Sequence, residues 1–551
     1  MYTRPISKKG AKGQALVIAY MAIAFFMIVS AALIAKSFTE RGIALRNRLT
    51  AETFYMAEGA IENAIATFTF AIANYQISPS IATYTVITSY PSFGGATVTT
   101  IATRVDAAER TIIKNNTIMY VRTYDFVATA VHPANNAIQT TVHQRIARRL
   151  IPTFQHAVFY NDDLEMLPGV TMTLAGRIHS NQDIYVDSKA TLTIDTSYLY
   201  SAGDIFNRRK DTGLTDPGEV QIQVADTSPV QHQPMNGFDS NSPDWPTGDI
   251  TRWNGTVKSA VNGVTKLTAP SVASIQPGDY YYTNAKTDGI IIQSDGTTTT
   301  IKKNNVALSC PSNTVTVTSS FKNNREGKNV TMVNINLAKL ANLSGEKDPV
   351  TKKAYPNNLP SNGLLYATLT NSGSNEPGIR LVSGSQIERA AGLTVVSNQP
   401  VYIQGNYNTT SKKPASVIAD SVNLLSAAWA DDTNSTKSFA SRQADPTTIN
   451  CAFIAGIDTT ASNQYNGGLE NYPRLHEDWQ GPGATLTIAG SFVELWNSAI
   501  AKGQWQYGTV GGKDYYTAPI RVWSYDSMFN DPTKLPPFTP WAVEAQRVAW
   551  W

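Results

Sequence analysis

The chain has 551 residues, 16% of them charged, with a formal net charge of +3 and only two cysteines. Its length exceeds the roughly 250–300 residues at which single cores stop growing, so two or three domains are expected. The balanced charge, with no basic stripe outside the N-terminal flanks, argues against nucleic acid as a partner. Low charge with abundant Thr, Ser, Asn and Tyr fits an exported, β-rich protein instead.

Residues 15–35 carry no charge. About 20 apolar residues rising about 1.5 Å each will cross a bilayer core, so Ala15, Leu16, Ile18, Phe25, Phe26 and Ile34 read as membrane-spanning. Arg4, Lys8, Lys9 and Lys12 precede the run with no acid among them, a flank that stays cytoplasmic. A cleavable secretory signal has a shorter core and then a break. Here the pattern continues past Lys36 as an amphipathic one, with Leu45, Leu49, Phe54, Ile61, Ile65, Phe68 and Ile72 recurring mostly at threes, fours and sevens. No proline lies between Pro5 and Pro79, so one helix over 14–75 is expected, half in lipid and half against a folded domain.

Two motifs in this stretch carry a family likeness. GQALV (13–17), following Lys12, resembles the class III signal of type IV pilins, and FYMAEGAIENAI (54–65) resembles the matching stretch of PilX-like minor pilins. The likeness is clear over about the first 75 residues and looser over the next 75. It implies that a prepilin peptidase cuts between Gly13 and Gln14, removing a cytoplasmic leader (1–13). It also implies a single-pass inner-membrane protein with its C-terminal part exported, pilin or pseudopilin subunits as partners, and the cell surface or a pilus as destination. The chain departs from the family at Ile18, where most pilins carry a glutamate. A carboxylate inside a filament is costly unless it meets a cation, which the family supplies as a neighbouring subunit's amine. A tip or minor subunit needs no such acid, and neither does a protein that never assembles.

Over 76–155 the pattern alternates. ATYTVITSY, GATVTTIATRV, TIMYVRTYDFVATAV and AIQTTVHQRIARRLI read as strands, punctuated by turns at 91–95 and 132–136. Helix plus antiparallel sheet makes an α+β unit, which is also the pilin architecture. Arg145, Arg148 and Arg149 read as a solvated edge of that sheet.

Repeats begin after Phe154. GVTMTLAGRIHSNQDIYV (169–186) is echoed by KATLTIDTSYLYSAGDIF (189–206) at an offset drifting from 20 to 21, which places Leu174 on Ile194, Ser180 on Ser201 and Asp183 on Asp204. SNQPVYI (397–403) nearly duplicates SNQDIYV (180–186), and ATLTI recurs at 190–194 and 484–488. A period near 20 with short strands predicts a parallel β-helix over 156–463, with Asn181 and Asn398 as corner residues in left-handed or self-bonded turns. An antiparallel β-sandwich, whose turn spacing can double to the same period, is the alternative. The Thr/Asn-rich stretch 207–377 reads as an insertion. The aromatic stretch 464–551 reads as a cap over the open end of the repeats.

Candidate chemistry is sparse. Glu470, Tyr472, Arg474, His476, Glu477, Asp478 and Trp479 form the densest polar group, read as a salt-bridged corner or, from Tyr472 to Trp479, a ligand-contact patch. A glycosidase pair of carboxylates is the third reading. Asp162, Asp163 and Glu165, and separately Asp239, Asn241 and Asp244, offer oxygen ligands to calcium but lack the EF-hand glycine and glutamate. No CxxC, HExxH, P-loop or nucleophile-elbow motif occurs, so no catalytic residue, cofactor or transition-metal site is assigned. Cys310 and Cys451 form either one long-range disulfide or two free thiols. The expected function is a minor pilin at a fibre tip that primes assembly or adheres to a surface glycan or another cell-surface ligand. The alternatives are a membrane-anchored β-helix enzyme acting on polysaccharide and a stationary envelope scaffold.

Overall fold

The computed structural model describes residues 11–114, 117–431, 438–462, 465–481, 483–504 and 515–551. Helix α1 (Ala11–Ala73) runs unbroken for 63 residues, roughly 95 Å at about 1.5 Å per residue. From 13 to 48 every residue is exposed, including Leu16, Ile18, Phe25, Phe26 and Ile34. The second half buries one face: Met56, Ala57, Ala60, Ile61, Ala64, Phe68 and Ile72. Alanines at 57, 60 and 64 let the helix sit close to its sheet, while Phe68 wedges between Tyr124 and Phe126 at ring distances of 4.8 and 5.5 Å. The helix ends where Tyr75 turns left-handed, φ = 59°.

Five strands follow: β1 (Thr83–Tyr90), β2 (Ala96–Arg104), β3 (Arg110–Lys114), β4 (Thr117–His132) and β5 (Asn135–Pro152). They form an antiparallel sheet in the order β1-β2-β4-β5, with β3 on the start of β4. A sixth strand comes from the far end of the chain. Trp541–Trp550 pairs antiparallel with β5, Val543 opposite Leu150 and Ala545 opposite Arg148.

That pairing corrects two expectations. The stretch 464–551 is not simply a cap on the repeats, because its last strand completes the helix-bearing sheet. Nor is β5 a solvated edge. Arg148 is fully buried and donates to Glu109 at 2.8 Å, Arg149 donates to Glu544 at 3.0 Å, and Arg145 to Asp125 at 2.6 Å. Everything from 153 to 540 is therefore a head spliced between two neighbouring strands of one sheet.

The head is a stack of short parallel strands. Val158–Tyr160, Ile178–Ser180, Leu199–Ser201 and Val257–Lys258 lie side by side in one sheet. Leu164–Met166, Ile184–Val186 and Ile205–Phe206 form a second, and Met172–Ala175, Thr191–Asp195 and Glu219–Val224 a third. The registers Leu174↔Ile194 and Ser180↔Ser201 reproduce the offsets of 20 and 21 legible in the sequence. The chain then crosses to the other side of its starting point and builds back. Ile290–Ser294, Leu364–Leu369, Leu393–Val396, Ala415–Ala419, Thr447–Ile457 and Thr485–Asn497 follow in order, each parallel to the last. Thr485–Asn497 finally docks on the first strand of the head, Phe492 opposite Val158. Antiparallel ladders occur only at the ends of this stack and in the helix-bearing sheet, so the sandwich alternative does not describe the head.

The expected insertion over 207–377 is also corrected. Ile290–Ser294, Lys328–Asn336, Leu364–Leu369 and Glu376–Val382 within it are strands of the stack, Val333 lying opposite Ile379 and Ile379 opposite Val401. Open ends are covered by other segments than the aromatic tail. At one end Gln231–Pro234 turns back antiparallel, and the helix Trp245–Trp253 buries both its tryptophans. At the other, Thr299–Lys303 and Val315–Asn323 fold back antiparallel.

Asn181 and Asn398 use their amides, not their backbones. Neither has a positive φ. Asn181 donates from Nδ2 to the Leu267 carbonyl at 2.7 Å and accepts the Leu267 N–H at 2.8 Å, pinning a remote segment to the corner. Asn398 accepts from the Thr368 hydroxyl at 2.9 Å.

Candidate functional site

The polar group at 470–479 is drawn together, but inward. Tyr472, Arg474, His476, Glu477 and Trp479 are buried, and only Asp478 is half-exposed. Tyr472 donates to the Val493 carbonyl at 2.7 Å. Arg474 is paired with Glu326 and donates to the Ala501 and Gly503 carbonyls at 3.2 and 3.1 Å. His476 meets Asn423 Oδ1 at 2.9 Å, and burial first, then the cations of Arg325, Arg474 and Arg442, hold it neutral by pushing its pKa well below the ordinary value. Glu477 accepts from the Ser426 N–H and hydroxyl at 2.7 and 2.6 Å, and burial raises it to about 7. Asp478 accepts from Gln443 and Thr517, both at 2.7 Å, while Trp479 donates its backbone N–H to Thr517 at 2.6 Å. These partners are all within the protein, so the surface patch expected from Tyr472 to Trp479 is instead a buried joint between coils.

The acidic clusters do similar structural work. Asp163 accepts the Asp183 N–H at 2.9 Å and pairs with Lys210 at 2.8 Å, and Asp183 in turn accepts the Asp204 N–H at 2.8 Å. A ladder of aspartates thus satisfies corner N–H groups left over when the strand turns. Asp162 receives Asn497 at 3.4 Å, and Glu165 is buried, raised to about 7 by desolvation. Asp239 accepts the N–H groups of Asn241 and Asn207 at 2.9 and 3.1 Å, and Asp244 precedes the helix Trp245–Trp253 without capping it by its side chain. Among the described residues no three His, Cys, Asp or Glu side chains stand together as a metal site. The cysteines are two free thiols, so the disulfide is corrected. Cys310 is half-buried, with Asn358 donating to its sulfur at 3.4 Å, and Cys451 is buried, its thiol pushed well above the ordinary range by desolvation.

A different place gathers open polar groups. Between the helix-bearing sheet and the head lies a cleft of about 300 Å³. Its floor is His156 and His179, both buried, with ring centres 6.0 Å apart. One wall comes from the sheet: Met119, Arg149, Ile151, Glu544 and Gln546. The other comes from Tyr198 and Tyr200, stacked at 3.7 Å, from Lys258 over the Tyr200 ring, and from Leu267. Desolvation lowers both imidazoles, His179 to about 4 and His156 well below the ordinary value, the latter helped by Arg177. Both are therefore neutral at pH 7. His156 Nδ1 faces the Thr153 carbonyl at 3.2 Å and must carry the proton, which leaves Nε2 as a bare acceptor at the cleft. His179 Nε2 donates to Asn181 Oδ1 at 3.1 Å.

None of the floor or wall residues was singled out from the sequence except Arg149, which was read as solvated. They lie far apart in sequence: β4, β5, the first coil of the head, the 258–267 loop and the C-terminal strand. The pairing of the C-terminal strand with β5 assembles them, and no local pattern announces it.

No family model and no curated protein matches the chain. Among solved structures it is similar to the competence-associated pilin ComZ from Thermus thermophilus, at 8% identity, covering 91% of this chain and 97% of that one. The TM-score of that superposition is 0.28, and nothing below rests on it.

Proposed function

We propose that the chain is a minor pilin or pilus-like assembly subunit placed at the end of a fibre, where it primes assembly or presents its head to a surface. The observation that carries this reading is α1. Its first half is a bare apolar rod from 13 to 48, and its second half is cemented to an antiparallel sheet. A rod of that composition is unstable in water and needs lipid or other helices around it. Gly13 lies on the rod with open space around it, as a protease cleft requires of a scissile position.

The head supports the terminal position. We read its stack of parallel strands as a β-helix of nearly 390 residues spliced into the edge of the sheet, far bulkier than the α1-and-sheet unit that carries it. Subunits packed side by side around their helices would have to fit that mass into every lattice position, whereas one terminal subunit need not. The absence of a glutamate at Ile18 agrees, since a subunit with no neighbour beyond it has no amine to neutralise.

Mass spectrometry of the mature N-terminus in sheared surface fibres, with and without prepilin peptidase, tests the reading. An N-terminus at Gln14 that depends on the peptidase is expected, together with a substoichiometric amount relative to the major subunit. An intact Met1 in cells with active peptidase overturns it.

A further inference from the structure

The geometry points to the cleft between sheet and head as a binding site for a pyranose sugar, one ring at the end of a glycan chain. The cleft is at the small end of the range usual for ligand pockets. Its polar groups alternate in kind. His156 Nε2 and the Glu544 carboxylate accept, Lys258 and Arg149 donate, and the hydroxyls of Tyr198 and Tyr200 do both. Interleaved with them are the apolar side chains of Met119, Ile151 and Leu267, each buried. A sugar ring has that same pattern: hydroxyls that both donate and accept around its rim, and a C–H face that prefers apolar contact.

Other ligand classes fit less well. A metal finds only two imidazoles, and His179 is held by Asn181 and by Tyr198 at 3.5 Å. A simple anion gains little from Arg149, whose charge is already met by Glu544 at 3.0 Å. A lipid chain would strand the polar half of the lining. The decisive feature is His156. It is almost wholly buried, its Nδ1 proton is committed to Thr153, and its Nε2 lone pair is aimed into the cleft where a ligand hydroxyl can donate to it.

This inference concerns the exported part alone, and its failure leaves the assembly reading untouched. The test is saturation-transfer NMR on the full chain in detergent micelles. Glucose, galactose, N-acetylglucosamine and glucuronic acid serve as probes, with glycine and glutamate as non-sugar controls. At least one sugar is expected to receive saturation. Its affinity is expected to fall about fivefold or more in Tyr200→Phe and in Gln546→Ala, whose side chains reach the rim and leave the core intact, and further in His156→Leu. No transfer to any sugar overturns the proposal. So does transfer to the amino acids instead, or sugar binding that is the same in Gln546→Ala and Tyr200→Phe as in the native chain.

Discussion

Glu494→Gln tests the closure of the head. Glu494 lies on Thr485–Asn497, the last long strand, opposite Tyr160 on the first. One oxygen accepts the N–H groups of Asn161 and Asp162 at 3.0 and 3.2 Å, and the other is buried without a partner. Burial, with Asp162 adding its charge, raises the carboxyl from 4.5 to about 8. Between those two pH values the unfolded chain has released this proton and the folded chain keeps it, so stability falls as pH rises. At about 1.4 kcal/mol per pH unit the loss is bounded at roughly 5 kcal/mol. Glutamine mimics the protonated acid and has no such slope. Buried histidines act in the opposite sense, their depressed values favouring stability as pH rises toward 6.5, but they are common to both proteins and cancel in the comparison. At about 2.1 cal/mol/K of unfolding entropy per residue, a head of this size moves by roughly 1 °C per kcal/mol. The melting curves of native and variant chains, followed by far-UV circular dichroism in detergent, should therefore separate by up to about 6 °C between pH 5 and pH 8, the variant gaining. Parallel curves would mean that Glu494 titrates normally and the last strand is not docked on the first.

Glu109→Ala strands the buried Arg148 guanidinium and should cost about 3 kcal/mol in a denaturant titration, whereas Arg148→Met should be close to neutral. Trp253→Ala opens a cavity beneath the helix that covers one end of the stack and should lower stability by about 3 kcal/mol, with proteolytic nicking appearing first between 225 and 260. Electrophoretic mobility should be identical with and without reductant. Cys310 should alkylate slowly in the native state and Cys451 only after unfolding, since burial raises both thiols.

Local pattern carried the sequence reading wherever one element repeats or runs long. The helix was legible because nothing interrupts its apolar spacing from 15 to 72. The register of the first coils was legible because Leu174, Ser180 and Asp183 recur at a fixed offset, and the stacked strands require that recurrence. What escaped was whatever depends on a return from far away. The 207–377 stretch looked like decoration because its coils lengthen: Ile290–Ser294 and its neighbour Leu364–Leu369 are separated by most of a hundred residues, and no period survives that. The polar group at 470–479 looked like a site because charges adjacent in sequence draw the eye. Whether they face water is decided by strands at 423–426 and 493, which the segment itself does not encode.

The same point decides how the two parts of the molecule are coupled. The chain enters the head from β5 and leaves it into the strand beside β5, so both connections sit at one edge of one sheet. A head joined by a single linker would swing freely, whereas two adjacent strands fix it, and the Thr268–Val543 pair of hydrogen bonds at 2.9 and 2.8 Å adds a third tie. A pull on the head is then carried into the β5 pairing in shear, along many hydrogen bonds at once, and from there into the face that grips α1. Anchoring rod, sheet and head behave as one mechanical unit, and the cleft where they meet lies on the line along which that force passes.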